Sequence, residues 1–204
     1  MGFYGEQVLP RVTDRLLGNR AFAKVRNETC VGLHGDILEI GFGSGLNLPF
    51  LPSEVTGVWT VEPSSVARRI AAKRIAASSV PLHEAGLDGA RIDAADARYD
   101  GALSTMTLCT IPDVRAALLE LRRVLKPGAS FHFAEHGHSP DDRVAHRQDQ
   151  FNGIQNRIAG GCNLNRPVTT LLTDAGFEID ALRNFYLKGP KAFGYMYVGR
   201  ARNP

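Results

Sequence analysis

Asp36-Ile37-Leu38-Glu39-Ile40-Gly41-Phe42-Gly43-Ser44-Gly45 is the stretch that decides the fold. Its first half is a short apolar run with Gly35 before it and Gly41 after it, and reads as a buried strand. Its second half is a GxGxG turn, placed between that strand and a predicted helix. Glycines there let the backbone turn sharply and approach a ligand where a Cβ would collide. A helix start behind the turn would offer unpaired N–H groups to polar ligand atoms. The dinucleotide fingerprint GxGxxG is not met, because Leu46 stands at its final position.

Downstream, strand and helix patterns alternate. Val55 to Val61 reads as a strand and Ser64 to Ala77 as a helix with Ser64 as N-cap. Pro81 to Ala85 reads as a third strand and Asp100 to Thr107 as a fourth. A helix follows over 112–125, with Val114, Ala117, Leu118, Leu121 and Leu125 near a 3.6-residue period. Pro112 suits its first turn, and Lys126-Pro127-Gly128 is expected to stop it. Ser130 to Glu135 reads as a fifth strand. This alternation predicts crossover units and a parallel sheet. Ser139-Pro140-Asp141-Asp142 predicts the start of a helix to Ala159, ended by Gly160-Gly161. A short helix from Val168 and two strands, Phe177 to Leu182 and Ala192 to Val198, close the chain. Their closeness suits an antiparallel pair at the sheet edge. Upstream, residues 6–29 carry Val8, Val12, Leu16 and Phe22 at helical spacing. Residues 1–30 are read as a helical entry segment of a single domain spanning 1–204, with a lid over the pocket and packing into a dimer both open as its role.

Composition sets the class. The chain has 204 residues, 44% hydrophobic and 22% charged, within ordinary globular usage. A formal charge of +3 argues against a nucleic-acid partner. Arg68, Arg69, Lys73 and Arg74 lie on one predicted helix and read as its solvated face. No apolar stretch is long enough for a membrane span. Cys30, Cys109 and Cys162 form no CxxC pair, which points to a reducing compartment and a cytoplasmic setting. Cys162 reads as packing.

Glu62 lies 17 residues after Gly45, directly after the second strand. A carboxylate there can accept two hydrogen bonds from a ribose diol. The runs LEIGFGSG, VEPS, STMTLCTIPD and LRRVLKPGASFHFAEH, with the last two strands, resemble a class I S-adenosylmethionine-dependent methyltransferase over about residues 30–200. The resemblance implies a Rossmann-like α/β fold: a seven-stranded, mostly parallel sheet, helices on both faces, the last strand antiparallel. It implies S-adenosylmethionine as cofactor, held by Glu39, Gly41, Gly43, Gly45, Asn47, Glu62, Pro63, Ser64, Asp88, Gly89, Thr105 and Thr107. In that set Glu62 meets the ribose and Asp88 the adenine amino group, with Asp96 as a rival for the adenine. The segments FHFAEH and GGCNLNRP, with the following Ala-Gly-Phe, are similar to the small-molecule and alkyl-thiol methyltransferases of animal microsomes. Those relatives carry an N-terminal membrane anchor, which the reading does not find here.

Methyl transfer from a sulfonium is an in-line displacement, so the protein positions the reactants and excludes water. A thiol needs little help from a base, a hydroxyl more. His136, directly after the fifth strand, is the candidate base; a structural histidine bonded to loop backbone is the other reading. His132, His136 and His138 suggest no metal, because no acid or cysteine completes a coordination set. Val144, Gln148, Phe151, Gln155 and Ile158 share one helix face, and its glutamines either bond nearby backbone or line a substrate pocket. Asn163, Asn165 and Arg166 are placed to close the same pocket; plain turn chemistry is their alternative. The expected function is methylation of a small molecule by a monomer or homodimer, with thiol, oxygen and nitrogen acceptors all open. A nicotinamide oxidoreductase is disfavoured by the missing third glycine, and a non-catalytic cofactor-binding module stays open.

Overall fold

Residues 4–204 are described in the computed structural model; the first three residues of the expected 1–30 segment lie outside them. Seven strands hydrogen-bond into one sheet: β1 (Gly35–Ile40), β2 (Val55–Val61), β3 (Leu82–Gly86), β4 (Tyr99–Thr105), β5 (Leu125–His136), β6 (Glu178–Tyr186) and β7 (Tyr195–Arg202). Their order is β3-β2-β1-β4-β5-β7-β6. Strands β1 to β5 pair in parallel. β7 runs antiparallel to β5 on one side and β6 on the other. The expected sheet with its last strand reversed is the one observed, although β6 runs on to Tyr186 and β7 is shifted, starting at Tyr195 after a 3-10 turn over Lys191–Phe193 and ending at Arg202.

The two faces of the sheet follow from side-chain alternation along the strands. Ile37 and Leu103 pack with Cys30, Leu33, Val55 and Val58 on one face. Here α2 (Arg20–Cys30) lies, its Val25 against Ala134, Met196 and Val198. Leu38, Ile40, Ala102, Phe131 and Phe133 face the other way, onto Leu118 and Leu121 of α4 (Val114–Val124) and Leu172 of α6 (Val168–Asp174). Each such leucine contributes about 1.5–3 kcal/mol by leaving water.

Several element ends differ from the sequence reading. The N-terminal stretch is one π-helical turn (Tyr4–Val8) and two α-helices, α1 (Leu9–Leu17) and α2, rather than one continuous helix. Gly18 ends α1, and the Asn19 side chain caps α2 by accepting from the backbone N–H of Ala21 and Phe22 at 2.8 and 3.2 Å. No α-helix follows the glycine turn. Pro49 and Pro52 remove donors and restrict their neighbours, so the chain makes only a 3-10 turn over Leu48–Phe50. The first full helix after β1 is therefore α3 (Ser65–Ala77), past β2, capped as expected by Ser64 Oγ accepting from Ala67 N at 3.1 Å.

The cap of α4 is Asp113, so Pro112 stands just outside the helix. Lys126-Pro127-Gly128 lies inside β5, because the chain passes from Val124 straight into the strand. Asp141, not Ser139, caps α5 (Asp142–Ile158), and Gly160 and Gly161, with φ of +63° and +92°, end it. Among the described residues no helix is long and apolar enough to cross a membrane.

Parallel pairing sends the carboxyl ends of β1 to β5 to one edge. Strand order reverses between β1 and β4, the place where open sheets of this kind leave a crevice for ligands.

Candidate active site

The turn after β1 holds Gly41, Gly43 and Gly45 at φ of +73°, +58° and +74°, backbone that side chains rarely adopt. Their surroundings differ. A Cβ on Gly41 would lie 2.1 Å from Thr107 Oγ1, and one on Gly45 3.1 Å from the Phe42 ring. A Cβ on Gly43 would meet nothing nearer than the Gly41 carbonyl oxygen, at 3.9 Å. Gly41 and Gly45 are small because protein packs on them; Gly43 borders space that protein does not fill.

Glu62, directly after β2, closes the turn from the side. Its carboxylate accepts from Gly43 N and Ser64 N, both at 2.7 Å. Burial pushes its pKa up, and those two N–H groups oppose the shift. The exposed Pro63 sits between Glu62 and the Ser64 cap. The helical face expected to be solvated is partly tied down here. Arg68 donates to the Glu62 carbonyl at 2.7 Å and pairs with Glu84. Arg74 donates to Asp14 and to the Ser44 carbonyl, each at 2.9 Å.

At the centre of the crevice is a network that sequence reasoning only half found. Arg26, from α2, donates through Nη1 to Asn47 Oδ1 at 2.7 Å and Thr105 Oγ1 at 2.6 Å. Asn47 Nδ2 donates to Glu39 Oε1 at 2.6 Å. Arg26, Glu39 and Asn47 are 5%, 1% and 1% exposed. Burial raises the Glu39 carboxyl to about 8 and lowers the Arg26 guanidinium from its usual value. Arg26 was absent from the expected cofactor set. Its helical phase was the available signal, since it shares a face with Val25, Thr29 and Cys30, all buried.

At the end of β4, Thr107 N–H donates to both oxygens of the fully buried Glu135, at 3.0 and 2.9 Å. Between Thr105 and Thr107 stands Met106 at φ +56°, a left-handed conformation held by its N–H donating to the Ala134 carbonyl at 2.8 Å. Asp88 is exposed just past β3, at the same sheet edge, and its Oδ1 accepts from Ala90 N at 2.9 Å; Gly89 beside it is buried. Asp96 precedes β4, so it belongs to the opposite edge, where it pairs with Arg123 at 2.6 Å. This geometry removes Asp96 from contention for the adenine.

On the far side of the crevice His136 ends β5, buried, with Nε2 3.0 Å from Cys162 Sγ. Cys162 Sγ lies 3.8 Å from Cys109 Sγ. Burial opposes charging the imidazole, and the Cys162 contact outweighs it, so the His136 pKa is raised. Contact with Cys109 and then with His136 pulls the Cys162 thiol down against burial, while Cys109 is pushed up. Of the three histidines weighed from sequence, His132 bonds the Thr29 carbonyl at 2.8 Å, and the Tyr197 hydroxyl donates to the backbone carbonyl of His138. Two cysteines do join His136, contrary to the sequence reading that none completes a set.

The residues expected to line a substrate pocket are committed largely to backbone. Gln148 donates to the Gly137 and Leu164 carbonyls at 2.9 and 3.1 Å and accepts from Ser139 N at 2.8 Å. Asn163 donates to the Cys109 and Gly161 carbonyls at 3.0 and 2.9 Å. Arg166 donates to the carbonyls of Leu108 and, at 2.6 Å, Ile111. Gln155 alone of this group reaches the cluster, with Nε2 3.6 Å from Cys162 Sγ. Phe151 and Ile158, on the same expected face, are exposed.

Among the described residues, three buried side-chain atoms have no hydrogen-bond partner: Arg26 Nε, Glu39 Oε2 and His136 Nδ1. Each costs about 1–3 kcal/mol if left so, and all three belong to this crevice. An N–H donor on a cation beside a bare carboxylate oxygen suits the carboxylate and ammonium of an α-amino acid. Glu62 beyond them suits a diol. That donor set, with the room at Gly43, fits S-adenosylmethionine.

Comparison with known proteins agrees. Residues 38–133 match the family described as a methyltransferase domain. The chain is 29% identical over 163 residues to the human thiol S-methyltransferase TMT1B, covering 77% of this chain and 66% of that protein. It thus spans just under two thirds of that relative's length. Among solved structures, N-methyltransferase NodS from Bradyrhizobium japonicum, in complex with S-adenosyl-L-homocysteine, superposes with a TM-score of 0.70 at 18% identity, covering 98% and 94% of the two chains. The [4+2]-cyclase SpnF superposes at 0.68 with 19% identity, covering 95% and 82%, so likeness at this level speaks to fold alone. Motifs, domain match and fold together make the chain similar to the class I S-adenosylmethionine-dependent methyltransferases.

Proposed function

We propose that the protein methylates the sulfur of a small-molecule thiol. The observation that carries the reading is the set of three unpartnered buried atoms, Arg26 Nε, Glu39 Oε2 and His136 Nδ1, on elements that meet at the carboxyl edge of the sheet, together with the room at Gly43; the likeness to a thiol S-methyltransferase supports the choice of acceptor. Bound here, S-adenosylmethionine would supply a methyl group on a positively charged sulfur, an electrophile that needs no further activation.

The chain's residues do the positioning. Arg26 Nε and Glu39 Oε2 take the two charged ends of the amino-acid part. Glu62 keeps free lone pairs for the ribose hydroxyls, and Asp88 sits where the adenine would end. Thr105 and Thr107 fix the floor. His136 stands on the acceptor side; its Nε2 is taken by Cys162, which leaves Nδ1 as the ring atom able to receive the acceptor's proton. The N-terminal helices act as a lid: Asp14 of α1 holds Ser44 of the glycine turn at 2.7 Å, and the Tyr4 hydroxyl donates to the Ile158 carbonyl at 3.0 Å. They bridge the glycine turn and the end of α5, excluding water from the transfer. We place the enzyme in the cytoplasm, as a monomer or homodimer.

The test is isothermal titration with S-adenosylmethionine, S-adenosylhomocysteine and NADH, then methyl transfer to a panel of thiols, phenols and amines. Binding of both adenosyl ligands and transfer to thiols is the expected result. Transfer confined to oxygen or nitrogen would overturn the acceptor assignment. Binding without transfer to any acceptor would mean a cofactor-binding module.

A further inference from the structure

The pair Cys109–Cys162 with His136 is more than the methyl-transfer reading uses. The three sit on separate segments: Cys109 in the loop after β4, His136 at the end of β5, Cys162 after the Gly160-Gly161 turn. Fifty-three positions separate the cysteines in sequence. Yet Cys109 Sγ, Cys162 Sγ and a His136 ring nitrogen all lie within 4.8 Å of one another, and all three residues are buried. The loops that carry them are fastened together. Asn163 N and Nδ2 donate to the Cys109 carbonyl at 2.9 and 3.0 Å, Arg166 clamps the carbonyls of Leu108 and Ile111, and Thr110 Oγ1 donates to the Thr107 carbonyl at 2.8 Å.

From this placement we infer that Cys109, His136 and Cys162 form a binding site for a thiophilic divalent cation of the zinc type. Two thiolates and an imidazole are the donors such an ion prefers. With bonds of about 2.3 Å to sulfur in a tetrahedron, the two sulfurs must stand roughly 3.8 Å apart; they stand 3.8 Å apart already. The Nε2-to-Cys162 distance of 3.0 Å must open by about half an ångström, because a tetrahedral edge between nitrogen and sulfur is about 3.5 Å. Side-chain rotation at Cys162 supplies that much. As the ion binds, each thiol releases one proton to solvent and becomes a ligand thiolate. The two negative charges balance the cation, so the loaded site is neutral in its buried setting.

Three protein ligands leave a fourth position for an outside ligand, the arrangement of catalytic rather than structural zinc. Resting on the thiol reading above, that ligand is the acceptor, which coordinates as a thiolate and loses its proton to solvent. In the loaded protein the ion thus takes over from His136 Nδ1 as the means of deprotonating the acceptor.

The experiment is titration of the reduced, metal-stripped full chain with cobalt(II), read by absorption spectroscopy, with zinc as competitor. One equivalent should give a sulfur-to-cobalt charge-transfer band and the intense visible band of a tetrahedral site, both bleached by one equivalent of zinc. Cys162→Ala and Cys109→Ala should each weaken binding by more than the roughly 10–100-fold that loss of an outer-shell partner costs. A spectrum without sulfur charge transfer, or one unchanged in both variants, would overturn the site. Should either variant fail to fold, alkylation of the wild-type chain decides: zinc should shield Cys109 and Cys162 from N-ethylmaleimide under mild denaturation while Cys30 stays reactive, and equal labelling with and without zinc refutes the proposal. A small thiol such as mercaptoethanol should then shift the visible cobalt band. Metal binding with no such shift would leave the site standing and remove the acceptor from its fourth position, a failure separate from loss of adenosyl-ligand binding.

Discussion

Replacing Gly43 by alanine separates a glycine kept for the ligand from one kept for the fold. In the chain alone the new methyl group has room, since its nearest neighbour is the Gly41 carbonyl oxygen at 3.9 Å. The cost to the free protein is conformational, because φ at this position is +58°. An alanine held in left-handed backbone costs about 1–2 kcal/mol. At roughly 2–4 °C per kcal/mol for a chain of this size, the melting temperature should fall by about 2–8 °C. If the cofactor lies against the turn, the same methyl group enters its volume, and the turn cannot retreat freely because Gly43 N is bonded to Glu62. S-adenosylhomocysteine should then bind at least tenfold more weakly, about 1.4 kcal/mol. Differential scanning fluorimetry gives the first number and isothermal titration the second. A Gly43→Ala protein that melts as expected but binds S-adenosylhomocysteine with unchanged affinity would refute the placement of the cofactor, since the only space that the methyl could block would be unused.

Gly41→Ala should behave oppositely: its Cβ would meet the Thr107 side chain at 2.1–2.6 Å, so the ligand-free melting temperature should drop further than for Gly43→Ala. Arg26→Met should weaken binding of S-adenosylmethionine tenfold or more yet leave methylthioadenosine, which lacks the amino-acid part, unaffected; equal losses for both ligands would show that Arg26 is structural. His132 is buried and its pKa is lowered to about 4, by burial first and against the hydrogen bond to Thr29. Its folded-state pKa lies below the unfolded value near 6.5, so its stabilisation is complete above that value and is lost as pH falls from about 6.5 towards 4. The loss is about 1.4 kcal/mol at pH 5.5 and about 3 kcal/mol by pH 4. In urea unfolding across that window, His132→Gln should flatten the slope, and an undiminished slope would sink the assignment.

The parts of this site legible in the sequence are those whose chemistry is local. Gly41 to Gly45, Glu62 and the Ser64 cap each follow a strand end within a few residues, so pattern and spacing suffice. What failed depended on competition or on distance. The expected helix behind the glycine turn lost to Pro49 and Pro52, whose missing donors and restricted neighbours allow only a 3-10 turn. Gln148 sits on the face predicted for it, but its partners are the Gly137 and Leu164 carbonyls, which a helical wheel does not contain. The Cys109–His136–Cys162 cluster was invisible for the same reason: its members meet only because a parallel sheet brings the ends of β4 and β5 side by side and α5 returns over them. Strand order, once assigned, would have been enough to suspect it.

Burial at this edge also bears on how a ligand enters. Arg26 and Glu39 are nearly inaccessible, so a cofactor cannot reach their unpartnered atoms unless something moves. β1 and β4 cannot supply the motion, because they are central strands bonded on both sides. The N-terminal helices can. Asp14 to Ser44, Asp14 to Arg74 and Tyr4 to Ile158 are side-chain hydrogen bonds at or near the surface, each worth about a kcal/mol. Val8, Val12 and Leu16 remain exposed, so α1 buries little apolar surface that opening would have to give up. α2 is harder to release, since Val25 and Cys30 are anchored in the core. The economical motion is therefore a swing of α1 about Gly18 and Asn19, with Arg26 staying in place to meet the incoming carboxylate. If the N-terminal helices form the proposed lid, the helix break at Gly18 is its hinge, and the Arg26 guanidinium is in place before the ligand arrives.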